Sequence, residues 1–182
     1  MGGLLQNRPL IGRGSYITEF GGHSKVYNLP DHQQIIHSAA SVILESHSKL
    51  WITGCQSRSS LMATKTTTFI SLDQIPVEGP NLPFRVMDHC MVQVDEKNIY
   101  LIGGLQNGTY SNKTWIIDPT NNFDIKEGPT MNYPKYNGSC ATMTLNQEVY
   151  IVVFGADIGV TGIQNEATME ILNTSSPDND CT

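Results

Sequence analysis

The sequence has few basic residues and no long apolar segment. Only 11 of its 182 residues are Lys or Arg, and they are scattered along the chain. A nucleic-acid-binding surface usually appears as a clustered excess of basic residues, so no nucleic acid partner is expected. The longest uninterrupted apolar run, Val149 to Phe154, is far shorter than the roughly 18 residues that a membrane-spanning helix requires. We therefore expect no membrane segment in this chain.

Catalytic and metal-binding signatures are also missing. The histidines form no HxxxH or HExxH pattern, and the cysteines form no CxxC. Zinc sites need ligands at such close spacing. His89 and Cys90 are adjacent, but neighbouring residues on a strand point to opposite faces and cannot act as a base and nucleophile pair. The sequence thus predicts no metal, no cofactor and no enzymatic activity.

What the sequence does contain is a repeat. NIYLIGGLQNG (98–108) is an apolar strand that runs into two glycines, and KLWITGC (49–55) and EVYIVVFGA (148–156) are similar. The aromatic residue of these segments recurs after 49 and then 50 residues, at Trp51, Tyr100 and Tyr150. Gly54 returns as Gly103, again after 49 residues.

Two further features keep the same period. The Glu-Gly-Pro of residues 78–80 returns 49 residues later at residues 127–129, and Cys90 returns after 50 residues as Cys140. A period of about 20 to 50 residues indicates a stacked or radial array of similar units rather than an ordinary globular domain.

Within one period, residue types predict four short antiparallel strands. Residues 89–94 and 99–102 are rich in β-branched and apolar residues and flank a polar turn. A polar loop then leads to a third strand at residues 114–117. Asp118-Pro119-Thr120-Asn121-Asn122 supplies turn chemistry before a fourth strand at residues 123–126. The predicted fold class is all-β.

These residues resemble the kelch repeat, whose four-stranded blade of about 50 residues builds a β-propeller. The resemblance is carried by IYLIGG, TWIIDP, FDIKEGPTM and His89, and it extends over roughly residues 8 to 172. FISL (69–72) and MEIL (169–172) stand in the place of TWII, and SKVYNL (24–29) is an earlier copy. The chain is thus expected to be a single partial propeller domain with approximate blades at residues 1–37, 38–88, 89–138 and 139–182.

The resemblance assigns structural roles to the repeated residues. Glycine at the end of the second strand allows positive φ or close approach to a neighbouring blade. Trp115 and its counterparts, Phe69 and Tyr27, are expected to pack between blades. The expected structural residues are Gly54, Gly103, Gly104, Trp115, Gly128 and Pro129.

About four blades, with the first and last incomplete, leave an open ring. Propellers close with roughly four to eight blades, which removes unpaired sheet edges. The sequence is therefore expected to be a fragment of a larger kelch protein. As an open ring it should associate through its edge strands.

In kelch propellers partners usually dock on the face made by the loops after the glycine pair and after the Gly-Pro. The resemblance therefore implies a protein-binding platform with an unknown protein partner. Arg and Tyr dominate interface energetics. The candidate partner-binding residues are Arg58, Arg85, Lys135 and Tyr136.

The resemblance leaves two alternative functions open. One is a kelch adaptor that recruits substrates to an intracellular ubiquitin ligase, which would need an oligomerisation domain that this sequence does not contain. The other is a copper oxidase similar to galactose oxidase. The phenols available for such a site are Tyr100, Tyr110, Tyr133, Tyr136 and Tyr150, but no pattern identifies copper ligands.

Four sequons and four cysteines favour a secreted or extracellular protein over the cytoplasmic alternative. The glycosylation candidates are Asn107, Asn112, Asn137 and Asn173. Glycans on the first three would shield the docking face near blades three and four and leave Arg58 and Arg85, on the blade-two side, as exposed anchors. Cys90 and Cys140, on the innermost strands of neighbouring blades, are the candidate disulfide pair, at the limit of the Cα separation that a bridge allows.

Overall fold

The computed structural model describes residues 15–18, 25–28, 38–44, 48–57, 60–71, 76–154 and 169–174. Within these ranges the regular structure consists of β-strands, and no helix long and apolar enough to cross a membrane is present. The predicted all-β class is confirmed. The strands are β1 (Ser15–Thr18), β2 (Lys25–Asn28), β3 (Ala40–Leu44), β4 (Lys49–Thr53), β5 (Thr67–Ile70), β6 (Val77–Glu78), β7 (Val86–Met87), β8 (Cys90–Gln93), β9 (Ile99–Ile102), β10 (Leu105–Gln106), β11 (Thr109–Tyr110), β12 (Thr114–Asp118), β13 (Asp124–Glu127), β14 (Ser139–Leu145), β15 (Glu148–Phe154) and β16 (Glu170–Asn173).

Three antiparallel sheets carry most of the structure. The first sheet has the order β3-β4-β5-β6, the second β8-β9-β12-β13 and the third β14-β15-β16. β1 pairs with β2, and β7, β10 and β11 form a small separate sheet. The four strands predicted for residues 89–126 are therefore present, in the predicted order.

The strand sequences explain how the sheets pack. β9, Ile-Tyr-Leu-Ile, is buried at every residue because neighbouring sheets cover both of its faces. β3 instead alternates buried and exposed residues, as a strand does when only one of its faces is covered. We call the face of a sheet that is turned toward the next sheet along the chain its forward face, and the opposite face its back face.

One apolar cluster fills the space between the first and second sheets. Val42 and Trp51 on the forward face of the first sheet meet Ile99 and Leu101 on the back face of the second. Trp51 lies 4.8 Å, ring centre to ring centre, from Phe123. Fully burying side chains of this size stabilises the fold by roughly 1.5–3 kcal/mol each, so this interface is a main source of stability.

A second apolar cluster joins the second and third sheets. Tyr100 and Ile102 on the forward face of the second sheet pack against Ile151, Val153 and Leu172 on the back face of the third. Both apolar clusters of the described residues thus lie between consecutive sheets.

The first strands of the three sheets lie side by side, β3 against β8 and β8 against β14. The backbone N–H of Asp88 donates to the Ser38 carbonyl at 2.8 Å, and that of Asn137 donates to the Asp88 carbonyl at 2.7 Å. Ser38, Asp88 and Asn137 all have positive φ, at 62°, 55° and 60°. The chain therefore enters each of these strands through the same local geometry.

The predicted correspondence of Phe69 with Trp115 is wrong by one residue. Phe69 stands opposite Trp51 in its sheet, whereas Trp115 stands opposite Leu101 rather than opposite Tyr100. Because side chains alternate along a strand, a slip of one residue turns the side chain to the other face. Phe69 and Trp115 consequently reach the same cluster between the first two sheets from opposite sides.

The third sheet shows a similar offset. β16 begins at Glu170, after the Met169 that was expected to start the strand. Leu172, not Met169, stands opposite Ile151 and points into the second cluster.

The prediction of a polar loop without strands at residues 105–113 is also wrong, because these residues contain a hairpin. β10 and β11 pair around Asn107-Gly108, and β10 also pairs with β7. Asn107 and Gly108 have φ of 49° and 86°. Two-residue hairpin loops favour positive φ at both positions, and Asn-Gly is their strongest sequence signal. That dipeptide would have predicted the hairpin.

Candidate partner-binding face

Segments 81–88, 105–113 and 130–138 meet on one side of the sheets, and we call this surface the loop face. The Asn107 N–H donates to the Arg85 carbonyl at 2.9 Å, while the Arg85 N–H donates to Asn107 Oδ1 at 3.1 Å. The Lys135 N–H donates to the Ser111 carbonyl at 3.1 Å. These bonds join the loop after the glycine pair to the two connecting segments on either side of it.

Glycines 103 and 104 allow this close approach. Gly103 has φ of 64°, and a Cβ there would clash with the carbonyl of Lys135. Gly104 has φ of 85°, and its Cβ would lie 2.6 Å from the Met87 carbonyl oxygen. Both positions thus combine a left-handed backbone with contact to a connecting segment.

The Glu-Gly-Pro repeat anchors the connecting segments. The Thr114 hydroxyl donates to the Pro129 carbonyl at 2.5 Å, and in the first sheet the Thr67 hydroxyl donates to the Pro80 carbonyl at 2.9 Å. A Cβ on Gly128 would lie 2.6 Å from Thr114 Oγ1. The repeated motif therefore holds the chain against the third strand of each sheet as it leaves toward the loop face.

An aromatic pair lies on the loop face. The rings of Tyr110 and Tyr136 stack with centres 4.4 Å apart and planes at 17°. Tyr110 is 42% exposed and the nearby Tyr133 is 53% exposed. Arg85 is exposed as well. A stacked aromatic pair and an exposed guanidinium on the same face offer apolar area and directional donors to one partner.

Lys135 takes a different place from the other candidates. Its side chain is 2% exposed, and its Nζ lies 3.7 Å from Oε1 of Glu170, which is itself 5% exposed. The other carboxylate oxygen, Oε2, accepts the Asn132 N–H at 2.7 Å. Lys135 is therefore part of a buried ion pair that holds segment 130–138 against the third sheet. Its amine is not accessible to a partner.

Arg58 lies outside the described residues. The same loop carries two exposed apolar residues that sequence reasoning missed, Leu61 at 65% and Met62 at 51%. Two adjacent large apolar residues in an otherwise polar loop could have indicated an exposed apolar surface there.

The structure distinguishes the sequons by the position of their amide nitrogen, the atom that would carry a glycan. Asn107 and Asn137 are exposed. Asn112 is half-buried, and its Nδ2 donates to the Met131 carbonyl at 3.0 Å. A glycan at Asn112 would replace one of the two hydrogens on this half-buried nitrogen. Asn173 is half-buried at the end of β16 that is farther from the loop face.

The expected separation of the anchors from the glycans is wrong for Arg85. Its main chain exchanges two hydrogen bonds with Asn107. A glycan on Asn107 would therefore cover the surroundings of Arg85 rather than leave them open.

The disulfide between Cys90 and Cys140 is confirmed, with Cα atoms 5.9 Å apart. The ladders explain why the bridge forms. Cys90 stands opposite Ile102. Val152 occupies the position of Ile102 in the next repeat, but the residue opposite Val152 is Ala141, and Cys140 stands opposite Val153. Cys140 is thus shifted by one residue and turns to the back face of the third sheet, toward Cys90. Of the described cysteines, Cys55 is buried and is not in a disulfide, and its Sγ lies 3.2 Å from Thr64 Oγ1.

His89 is buried between the first two sheets. Its Nε2 lies 2.8 Å from Thr53 Oγ1, and the Thr53 hydroxyl donates to Met91 Sδ at 2.6 Å. Because the Thr53 hydroxyl has one hydrogen and donates it to Met91, the ring N–H of His89 donates to Thr53. Burial lowers the pKa of His89 from 6.5 to about 3, so the imidazole is neutral near pH 7.

This shift predicts acid sensitivity. The unfolded chain binds a proton at His89 near pH 6.5 and the folded chain only near pH 3, so the contribution to stability is complete above pH 6.5 and is lost as the pH falls toward 3. The slope should be about 1.4 kcal/mol per pH unit. Urea unfolding at pH 6.5 and pH 5 should show wild type losing about 2 kcal/mol more than His89→Gln. Equal losses would contradict a neutral, buried His89.

The five candidate phenols do not come together. Tyr100 is buried between the second and third sheets, whereas Tyr110 and Tyr136 stack on the loop face. Among the described residues, no group of three or more His, Cys, Asp or Glu side chains is arranged to hold a metal ion.

Comparison with known proteins assigns this chain to no family, since neither the scan against protein-family models nor the search of curated proteins found a match.

Proposed function

We propose that this chain is a kelch-type propeller module that serves as a non-catalytic platform for a protein partner, bound on the loop face. The observation that carries the proposal is the stacked, solvent-accessible pair Tyr110–Tyr136 on the same face as the exposed Arg85. These side chains stand on segments that are tied to each other by main-chain hydrogen bonds, so the surface is preorganised.

The kelch-type architecture is supported by the way the sheets repeat. Consecutive sheets pack face to face, their first strands lie side by side, and the Gly-Pro and glycine-pair contacts recur in the same places. A radial arrangement of four-stranded sheets would place all the loops that follow the second strands on one face, where a single partner can contact several of them.

The chemistry of the face indicates the partner's contact surface. Arg85 favours a carboxylate on the partner, which a guanidinium can bind through two parallel hydrogen bonds. The tyrosine pair favours an apolar or aromatic side chain beside that carboxylate. Lys135 has no part in this recognition because it is buried.

A secreted or extracellular location is part of the proposal. Disulfides persist in oxidising compartments and are rare in the cytosol, so the Cys90–Cys140 bridge supports it. The exposed sequons at Asn107 and Asn137 are consistent with the same compartment.

Substitutions on the loop face test the proposed function. Arg85→Ala and Tyr136→Ala should each reduce partner recovery at least about tenfold, as expected of central interface residues. Recovery is measured by quantitative mass spectrometry after affinity purification from the medium of expressing cells. The matched control is Lys97→Ala, an exposed residue in the turn between β8 and β9 at the opposite end of the strands.

Thermal melts establish that the variants remain folded. Undiminished recovery with both loop-face variants would refute the proposed face. Recovery of ubiquitin-ligase subunits by the cytosolic protein, with the disulfide reduced, would favour the intracellular adaptor instead.

A further inference from the structure

The forward face of the third sheet is largely apolar and open. By strand alternation this face carries Ser139, Ala141, Met143 and Leu145 of β14 and Glu148, Tyr150, Val152 and Phe154 of β15. Met143 is 43% exposed, Leu145 53% and Phe154 44%. On the back face of the same sheet, in contrast, Ile151, Val153 and Leu172 are at most 3% exposed.

The open positions correspond to buried positions in the first sheet. Val42 stands opposite Trp51 in the first sheet. Met143 stands opposite Tyr150 in the third sheet, and Tyr150 occupies the position of Trp51 in the repeat. Val42 is 7% exposed because the second sheet covers it. Met143 lies at the same place in the third sheet but lacks that cover.

The adjacent pair of positions behaves in the same way. Leu44 pairs with Lys49, and Leu145 pairs with Glu148. Leu44 is 1% exposed, whereas Leu145 is 53% exposed. The forward face of the third sheet therefore has the residue pattern of a sheet that receives the back face of another sheet.

The first sheet offers such a back face. Ile43 projects from β3 away from the second sheet and is 65% exposed, and Leu50 and Ile52 of β4 lie on the same face, half-buried. The corresponding back-face residues of the next sheets, Leu101 and Ile151, are both 0% exposed. The same chain thus carries one partly open forward face and one partly open back face.

We propose that these two faces bind each other between two copies of the chain. The third sheet of one copy packs its forward face on the back face of the first sheet of the second copy, around Met143, Leu145 and Ile43. Both internal interfaces join sheets in this forward-on-back manner, so the intermolecular contact continues the arrangement of the fold. The contact is head-to-tail and leaves a complementary face free at each end, which permits closure into a ring.

This association differs from pairing of strand edges. Face-to-face packing depends on apolar side chains, whereas edge pairing depends on main-chain groups and tolerates side-chain changes on the sheet face. The inference is also independent of the loop face, because its residues lie on other surfaces of the sheets.

The experiment is sedimentation equilibrium of the purified chain over about a hundredfold range of concentration. Wild type should form dimers or larger assemblies as the concentration rises. Both Ile43→Lys and the double variant Met143→Lys/Leu145→Lys should raise the dissociation constant at least about a hundredfold, because each buries an unpaired ammonium in the contact. Thr144→Lys, an exposed residue of the same strand on the back face, is the matched control and should associate like wild type.

Mixing the two variants tests the head-to-tail geometry. Ile43→Lys keeps an intact forward face and Met143→Lys/Leu145→Lys keeps an intact back face, so the equimolar mixture should regain one dimer contact. Wild type that stays monomeric would overturn the proposal, as would assembly that survives both variants through edge pairing. Loss of assembly in the Met143→Lys/Leu145→Lys variant alone would show symmetric packing of two third sheets and would also overturn it.

Discussion

Replacing Glu170 with Gln should lower the free energy of unfolding by about 3–5 kcal/mol, the usual cost of removing one partner from a buried ion pair. Both side chains of the Lys135–Glu170 pair are almost fully buried. The carboxylate also accepts the main-chain N–H groups of Asn132 and Tyr133, at 2.7 and 3.4 Å. Glutamine keeps the shape but removes the charge, so the Lys135 ammonium loses its ion pair with Glu170.

Urea denaturation measures this effect, and the chain provides a matched control. Lys113 and Glu127 form a second ion pair at 2.7 Å whose side chains are 48% and 49% exposed. Glu127→Gln should cost only about 0–1 kcal/mol because solvent screens exposed pairs. Similar losses in the two variants would contradict the buried position of Glu170 and with it the anchoring of segment 130–138.

Replacing Cys140 with Ser should destabilise the chain by about 4 kcal/mol, the loss of loop-closure entropy expected for a disulfide of this span. The bridge joins residues separated by 50 positions, from the first strand of the second sheet to the first strand of the third. Without it, the unfolded chain regains conformations that the crosslink excludes.

Reductant distinguishes this effect from local disturbance by serine. Wild type in reductant should unfold at the same urea concentration as Cys140→Ser, and Cys140→Ser should not respond to reductant. Cys55→Ser, which changes the buried cysteine that is not in the disulfide, should keep the full response. A wild-type chain whose stability is unaffected by reductant, with both thiols free in peptide maps, would refute the bridge.

Local sequence patterns were sufficient to predict most strands. β9 and β12 consist of β-branched and aromatic residues flanked by turn-forming residues, and these features act over a few neighbouring positions. The Asn107-Gly108 hairpin was equally local and was missed because the segment was interpreted only by its polarity.

Register and burial could not be obtained in the same way. The one-residue offsets of Trp115 and Cys140 depend on how each ladder pairs, and a period in the sequence does not fix that pairing. Lys135 is buried in an ion pair with Glu170, which lies on a strand of the third sheet. A long-range contact of this kind leaves no local signal, so Lys135 resembled the exposed residues of its loop.

The stability of the scaffold and the binding role of its surface are separate questions. Glu170 and the disulfide fix the segments that present Tyr110 and Tyr136, but neither contacts a partner directly in the proposed complex. Loss of binding in their variants would therefore follow loss of folding, whereas Arg85→Ala should reduce binding in a fully folded chain.

Site-specific photo-crosslinking tests the loop face most directly. Tyr133 is replaced by benzoylphenylalanine, which preserves an aromatic ring at a position that is 53% exposed on segment 130–138. The control places the same residue at Glu96, exposed in the turn at the opposite end of the strands. The loop-face position should capture a discrete protein partner in the medium of expressing cells, and Arg85→Ala in the same chain should abolish the product. Equal capture at both positions, or a product formed only at position 96, would contradict a partner-binding loop face.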